Sequence, residues 1–74
     1  MQNVIVAPLT TYIRYVEAEV IISPEEGVPQ LCAANVDNLF TIRAALMDQR
    51  IGAVAGETMD HVFAALRYVF AMPA

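Results

Sequence analysis

The chain contains no lysine. Its positive charge rests on Arg14, Arg43, Arg50 and Arg67, against eight acidic residues, for a net charge of -4. Affinity for nucleic acid comes largely from cations that neutralise phosphates, so composition alone describes a poor binder of RNA or DNA. A single cysteine, Cys32, excludes an internal disulfide and fits a reducing compartment. No apolar run approaches the roughly 18 residues of a membrane span. The first residues also lack the charged region and long apolar segment of a signal peptide. A cytoplasmic protein with no membrane partner is expected. The three glycines make no phosphate-cradling loop, and there is no repeat, low-complexity segment or linker.

What is present is hydrophobic and short. Seventy-four residues make one domain, 1–74, of which 58% are hydrophobic. A chain of this size buries only about 60% of its unfolded surface. A second chain is therefore expected to cover part of the apolar surface.

The apolar run Val4, Ile5, Val6, Ala7 predicts a buried strand. Pro8 cannot donate a ladder hydrogen bond and marks an edge, a bulge or the strand's end. From Tyr15 to Ile22 (YVEAEVII), Tyr15, Glu17 and Glu19 alternate with Val16, Ala18 and Val20, the period of a half-exposed strand. Ser23-Pro24-Glu25-Glu26-Gly27 reads as a turn. Leu31 to Ile42 (LCAANVDNLFTI) reads as a strand with a bulge or break at Asp37-Asn38, both poor strand residues. Arg43 to Gln49 predicts two turns of helix, and Arg50 to Val54 a return to extended chain around Gly52. Met59, Val62, Phe63, Leu66, Val69 and Phe70 recur at three- and four-residue spacing, the stripe of an amphipathic C-terminal helix. Glu57 and Asp60 complement the positive end of its dipole. Ala55-Gly56 caps its start weakly, and Pro73 ends it. The order predicts an α+β fold with a small, strongly bent sheet.

Few residues carry chemistry. His61, the one histidine, is either a general acid/base or a solvent-facing helix residue. Cys32 and His61 are isolated, and Glu25-Glu26 lie in a turn without further ligands in register, so no metal site is expected. Cys32 reads as a small buried strand residue without a catalytic partner. Thr10 and Thr11 follow a strand, where threonines either satisfy backbone groups in a turn or meet a substrate. Asp37 and Asn38 stand open in the same way.

The blocks VIVAPLT, SPEEGVPQLCAANVDNLFTI, RIGAV and ETMDHVFAALRYVFAM, in this order and spacing, resemble the MazF/PemK family of toxin endoribonucleases. The resemblance runs from residue 4 to about residue 72. It implies a small SH3-like β-barrel with a C-terminal helix, working as a homodimer that cuts single-stranded RNA at short sequences. Cleavage in the family uses no metal or other cofactor and proceeds by attack of the 2′-hydroxyl on its own phosphodiester. A MazE-like antitoxin is the implied protein partner. The catalytic threonine falls on Thr10, whose hydroxyl would hold the scissile phosphate. Thr11, Asp37, Asn38 and Phe40 fall in the substrate groove. Asn38 stands where the family usually has glutamine and would contact a base edge. Phe40 replaces what is often a basic residue and offers a stacking face for a splayed base.

The family's main catalytic group is an arginine in an N-terminal segment that precedes the part resembled here, and none of the four arginines matches it. The expectation is an N-terminally incomplete barrel whose exposed edges make it associate. Without that arginine, cleavage is expected to be slower by about 10²- to 10³-fold. The competing expectations are a non-catalytic antitoxin-binding or dimerisation module, and an oligomerisation domain with no nucleic-acid role.

Overall fold

The computed structural model of the chain describes residues 2–71. The expected stop at Pro73 lies outside them. The described elements are β1 (Asn3–Val6), β2 (Leu9–Thr10), β3 (Glu19–Ile22), β4 (Cys32–Asn35), β5 (Phe40–Arg43) and α1 (Gly56–Val69). Single 3-10 turns lie at Pro24–Glu26, Val36–Asn38 and Ala44–Leu46.

The apolar run at the start forms β1, paired antiparallel with β5 so that Val4 faces Ile42 and Val6 faces Phe40. Pro8 sits between β1 and β2, where its missing donor costs no ladder bond; its carbonyl accepts the Asn35 N–H at 2.9 Å. A second sheet has the order β2-β4-β3, with every pair antiparallel. Its centre is β4, whose Ala33 and Ala34 are small enough for close cover on both faces. One face carries the core: Val20, Ile22, Cys32, Ala34 and Val36 meet Ala65 of α1, with Ala7, Val28, Val62, Leu66 and Val69 packed around them. The pleat turns Thr10, Ala33, Ile21, Asn35 and Glu19 to the other face.

These antiparallel sheets and one C-terminal helix are the α+β arrangement the sequence predicts. The described strands form no closed barrel. β1, β2, β3 and β5 each have a ladder partner on one side only.

Three expectations need correction. The strand foreseen from Tyr15 begins only at Glu19: Tyr15 takes φ 56° and the Glu19 N–H closes a turn on the Val16 carbonyl at 3.0 Å. Its first residue is also buried rather than exposed, because Arg14 pairs with the Glu19 carboxylate. The helix foreseen at Arg43 to Gln49 shrinks to the turn Ala44–Leu46, and Arg43 remains in β5. Seven residues are too few to hold a helix without packing, and the Ala44 N–H is taken by the Gln2 carbonyl at 2.9 Å, beyond the β1–β5 ladder. The foreseen extended segment at Arg50 to Val54 forms no strand. By contrast, the break foreseen at Asp37-Asn38 is present as the turn between β4 and β5.

Helix α1 buries Ala65 most deeply, with Val62, Leu66 and Val69 half-buried beside it, while Phe63 and Phe70 remain largely outside. The apolar stripe is therefore broader than the contact face, and a small residue sets how closely the helix approaches the sheet. No side chain of Ala55 or Gly56 caps the helix. Glu26 does so from 29 residues away: its Oε2 accepts the Ala55 N–H at 2.8 Å, and its Oε1 accepts the Ser23 N–H at 3.0 Å. These bonds, first those from Ser23 and Ala55 and then one from the Thr58 side chain, hold the Glu26 carboxyl down at about 2 against an ordinary 4.5. Beside it the backbones of Gly27 and Gly52 touch, and a Cβ on Gly52 would collide with the Glu26 carbonyl oxygen. Gly27 also has φ 112°, closed to most side chains.

Three outcomes are expected. Gly52→Ala should cost roughly 1–3 kcal/mol in urea unfolding through overpacking. Gly56→Ala, which meets nothing within 4 Å, should be neutral or gain up to about 1 kcal/mol. A depressed carboxyl contributes its stability above the unfolded value and loses it as pH falls toward the folded one. The melting-temperature advantage of wild type over Glu26→Gln should therefore be full at neutral pH and shrink from about pH 4.5 down to about pH 2.

Candidate functional site

Thr10 ends β2 and is half-buried; its Oγ1 accepts the Tyr12 N–H at 3.1 Å. The hydroxyl hydrogen is not used in that bond and stays available to an acceptor. Thr10 and the exposed Thr11 line an open depression of about 160 Å³ with Leu9, Val28, Pro29 and Ile51 among its walls. The Thr10–Tyr12 bond is the turn role that the sequence leaves open, and it coexists with access to this depression.

Asp37 and Asn38 lie exposed in the turn Val36–Asn38. Asp37 faces a different hollow, of about 600 Å³, walled by Val16, Glu17, Ala18, Tyr68 and Val69. Phe40 opens β5 opposite Val6 and is 49% exposed, leaving a ring face for contact. The structure thus brings Thr10 and Thr11 together and sets Asp37 along another wall.

Arg14 links the start of β3 to the turn that carries Asp37. Its Nε donates to Glu19 Oε2 at 2.8 Å, its backbone N–H donates to Glu19 Oε1 at 2.8 Å, and its Nη2 stands 4.0 Å from Asp37 Oδ2. The side-chain bond from Arg14 is the chief cause that lowers the Glu19 carboxyl, and the same bond raises the Arg14 guanidinium. The sequence reading treats Arg14 only as a mismatch to the family's catalytic arginine. The available signal is the five-residue spacing to Glu19, a carboxylate that opens the apolar strand EVII.

His61 is exposed on α1 and borders a third hollow with Glu17, Glu19 and Tyr68. Among the described residues no three His, Cys, Asp or Glu side chains come together as a metal set, and no helix is long and apolar enough to cross a membrane. Cys32 is buried in β4, where desolvation pushes its thiol up from the ordinary range.

The site is thus a Pro-Leu-Thr strand end over an open depression, in antiparallel sheets packed against the C-terminal helix. The family model for the PemK-like, MazF-like toxins of type II toxin-antitoxin systems matches residues 1–70, and the chain belongs to that family. It is similar to the "Probable endoribonuclease MazF5" of Mycobacterium tuberculosis (strain ATCC 25618 / H37Rv), with 31% identity over 67 residues. That match covers 89% of this chain and 62% of the relative, so the chain spans less than two thirds of the relative's length. Among solved structures, the "Mycobacterium tuberculosis toxin MazF-mt6" superposes with TM-score 0.93 at 27% identity, over 100% of this chain and 75% of that one. A crystal structure described as an Mtb toxin gives 0.89 at 28%, over 95% and 77%. An endoribonuclease from mycobacterial species gives 0.84 at 25%, over 97% and 67%.

Only the thiolate reacts with alkylating agents, and Cys32 is buried where desolvation disfavours its thiolate. Iodoacetamide at pH 8 should modify it at least about tenfold more slowly in the native chain than in urea, as followed by intact mass.

Proposed function

We propose that this chain is the toxin component of a type II toxin-antitoxin system and an endoribonuclease acting on single-stranded RNA without a metal. The observation that carries the reading is the Thr10 hydroxyl, held at a strand end beside an open depression in a chain of this family. In the proposed reaction the ribose 2′-oxygen attacks the adjacent phosphorus and the bond to the 5′-oxygen breaks. The 2′-proton passes to a base and a proton reaches the leaving oxygen. A 2′,3′-cyclic phosphate and a 5′-hydroxyl result. Thr10 donates to a non-bridging phosphate oxygen, where negative charge is present in the ground state and shifts in the transition state. Thr11 borders the same phosphate. Asp37 and Asn38 meet base edges across the turn, and Phe40 supplies a stacking face.

The proposal includes completion of an SH3-like barrel. Strand edges on β1, β2, β3 and β5 remain to be covered, and Ile5 and Leu9 are 73% and 52% exposed. Further polypeptide, together with a second toxin protomer in a homodimer, would cover them. A MazE-like antitoxin is the proposed inhibitor, and the cytoplasm the proposed place of action. By itself the 74-residue chain is proposed to cut slowly, because the family's catalytic arginine has no counterpart among Arg14, Arg43, Arg50 and Arg67.

The alternative is a non-catalytic antitoxin-binding or dimerisation module derived from such a toxin. The commitment of Arg14 to Glu19 and Asp37 favours it, since that guanidinium is not free to serve as the missing cation.

The test is cleavage of mixed single-stranded RNA by the chain and by a version extended at its N-terminus with the arginine-bearing segment of a relative. The extended form should cut at least about 10²-fold faster than the chain, and Thr10→Ala should remove at least about 10²-fold of that activity. An extended, folded form that leaves every RNA intact excludes the nuclease in favour of the module. Undiminished cleavage by Thr10→Ala excludes the role given to Thr10.

A further inference from the structure

β2 and β3 both pair antiparallel with β4, one on each side of it, so they run in the same direction. After Thr10 the chain must therefore return the length of the sheet before β3 can begin at Glu19. Residues 11–18 make that return, and hydrogen bonds tie the first part of it at two points. At the near end the Tyr12 N–H donates to Thr10 Oγ1. Four residues beyond Thr10, Arg14 grips Glu19 with both its backbone N–H and its Nε, each at 2.8 Å.

The grip is built around a buried charge. The Glu19 side chain is 1% exposed and the Arg14 side chain 44%. Taking a carboxylate out of water is unfavourable unless it is paired and hydrogen-bonded, and an apolar pair of similar volume often serves stability as well or better. Glu19 is followed by Val20, Ile21 and Ile22, any of whose side-chain types would suit a buried strand position. What the ion pair adds over an apolar contact is direction. The planar guanidinium and the carboxylate accept one geometry, and the backbone N–H fixes the main chain of Arg14 in the same contact. Asp37 adds a longer hold on the outer side of the guanidinium.

We propose that Arg14 and Glu19 are a positioning pair: their clasp fixes the return segment so that Thr10 and Thr11 face the RNA phosphate. This inference rests on the endoribonuclease reading and deepens it. Neither residue touches the reacting atoms. Arg14 orders the backbone that carries the two threonines, and Glu19 is the fixed point it is ordered against.

The test uses the 15N-labelled 74-residue chain as wild type, Glu19→Gln, Arg14→Gln, Arg14→Lys and Thr10→Ala. Two quantities are read: amide exchange residue by residue, and affinity for a mixed-sequence single-stranded RNA whose 2′-hydroxyls are methylated so that it cannot be cut. In Glu19→Gln and Arg14→Gln, exchange at Tyr12 and Arg14 should quicken about tenfold or more while amides of β3 and β4 change little. RNA-induced shifts at Thr10 and Thr11 should then need about tenfold more RNA. Arg14→Lys should not restore them, because a point charge lacks the fork. Arg14 is partly exposed, so its variants carry the test if Glu19→Gln does not fold.

Faster exchange spread evenly through β3 and β4 would show a merely structural pair and overturn the proposal. If wild type binds RNA, Thr10→Ala weakens it, and both clasp variants bind as wild type does, the clasp fails while the nuclease reading stands. If wild type gives no RNA-induced shifts at Thr10 or Thr11, both fail together.

Discussion

The fold depends on a carboxylate that lies far in sequence from what it caps. Glu26 receives the Ser23 N–H on one oxygen and the Ala55 N–H on the other, and so joins the turn after β3 to the first turn of α1. Helix α1 begins without a capping side chain of its own, and its position over the sheet follows from where Glu26 is held. The Gly27–Gly52 contact serves the same junction by allowing two backbones to approach as no Cβ would permit. With the helix start fixed there, Ala65 comes down on Val20, Ile22, Cys32 and Ala34, and the core closes on one side of the sheet.

The opposite face of the sheet carries Thr10, Asn35 and Glu19. The return from β2 to β3 is bonded to Thr10 at one point and to Glu19 at another, and its Val16, Glu17 and Ala18 share a hollow with Tyr68 and Val69 of α1. The depression beside Thr10 nevertheless borders the core, because Leu9, Val28 and the core residue Cys32 help to line it. The helix face holds apolar side chains, and the other face holds a hydroxyl, an amide and an ion pair. Asn35 Oδ1, buried there with no partner among the described residues, belongs to this polar side, and Asn35 lies across the ladder from Glu19. A chain with a net charge of -4 thus still concentrates donors near one depression, because Thr10 and Thr11 contribute hydroxyls that composition does not count.

Much of this was legible in the residues. The β-branched run Val4–Val6, the break at Asp37-Asn38 and the three- and four-residue spacing in α1 each reflect local periodicity, which a sequence displays directly. Pro8 and the Ser23–Gly27 turn are local in the same sense. The errors lie where a distant partner decides. Glu19 looks solvent-facing from the alternation of YVEAEV, and only Arg14 makes its burial possible. RAALMDQ has adequate helix propensity, yet Arg43 pairs with Asn3 in the sheet and the Gln2 carbonyl takes the N–H of Ala44. Ala55-Gly56 looks uncapped because its cap comes from Glu26. The family and Thr10's place at a strand end were visible from motif order; the separation of Asp37 from the threonines was not, since spacing along the chain does not reveal which hollow a turn faces.

The placement of β4 between two strands that precede it in sequence has a consequence for synthesis on the ribosome. β2 and β3 are parallel and lie on opposite sides of a gap that β4 later fills. Until Asn35 has left the exit tunnel, neither strand has its neighbour among the described strands of this sheet. Order in this region therefore arrives late and in one insertion event, the slow kind of assembly that non-local pairing imposes.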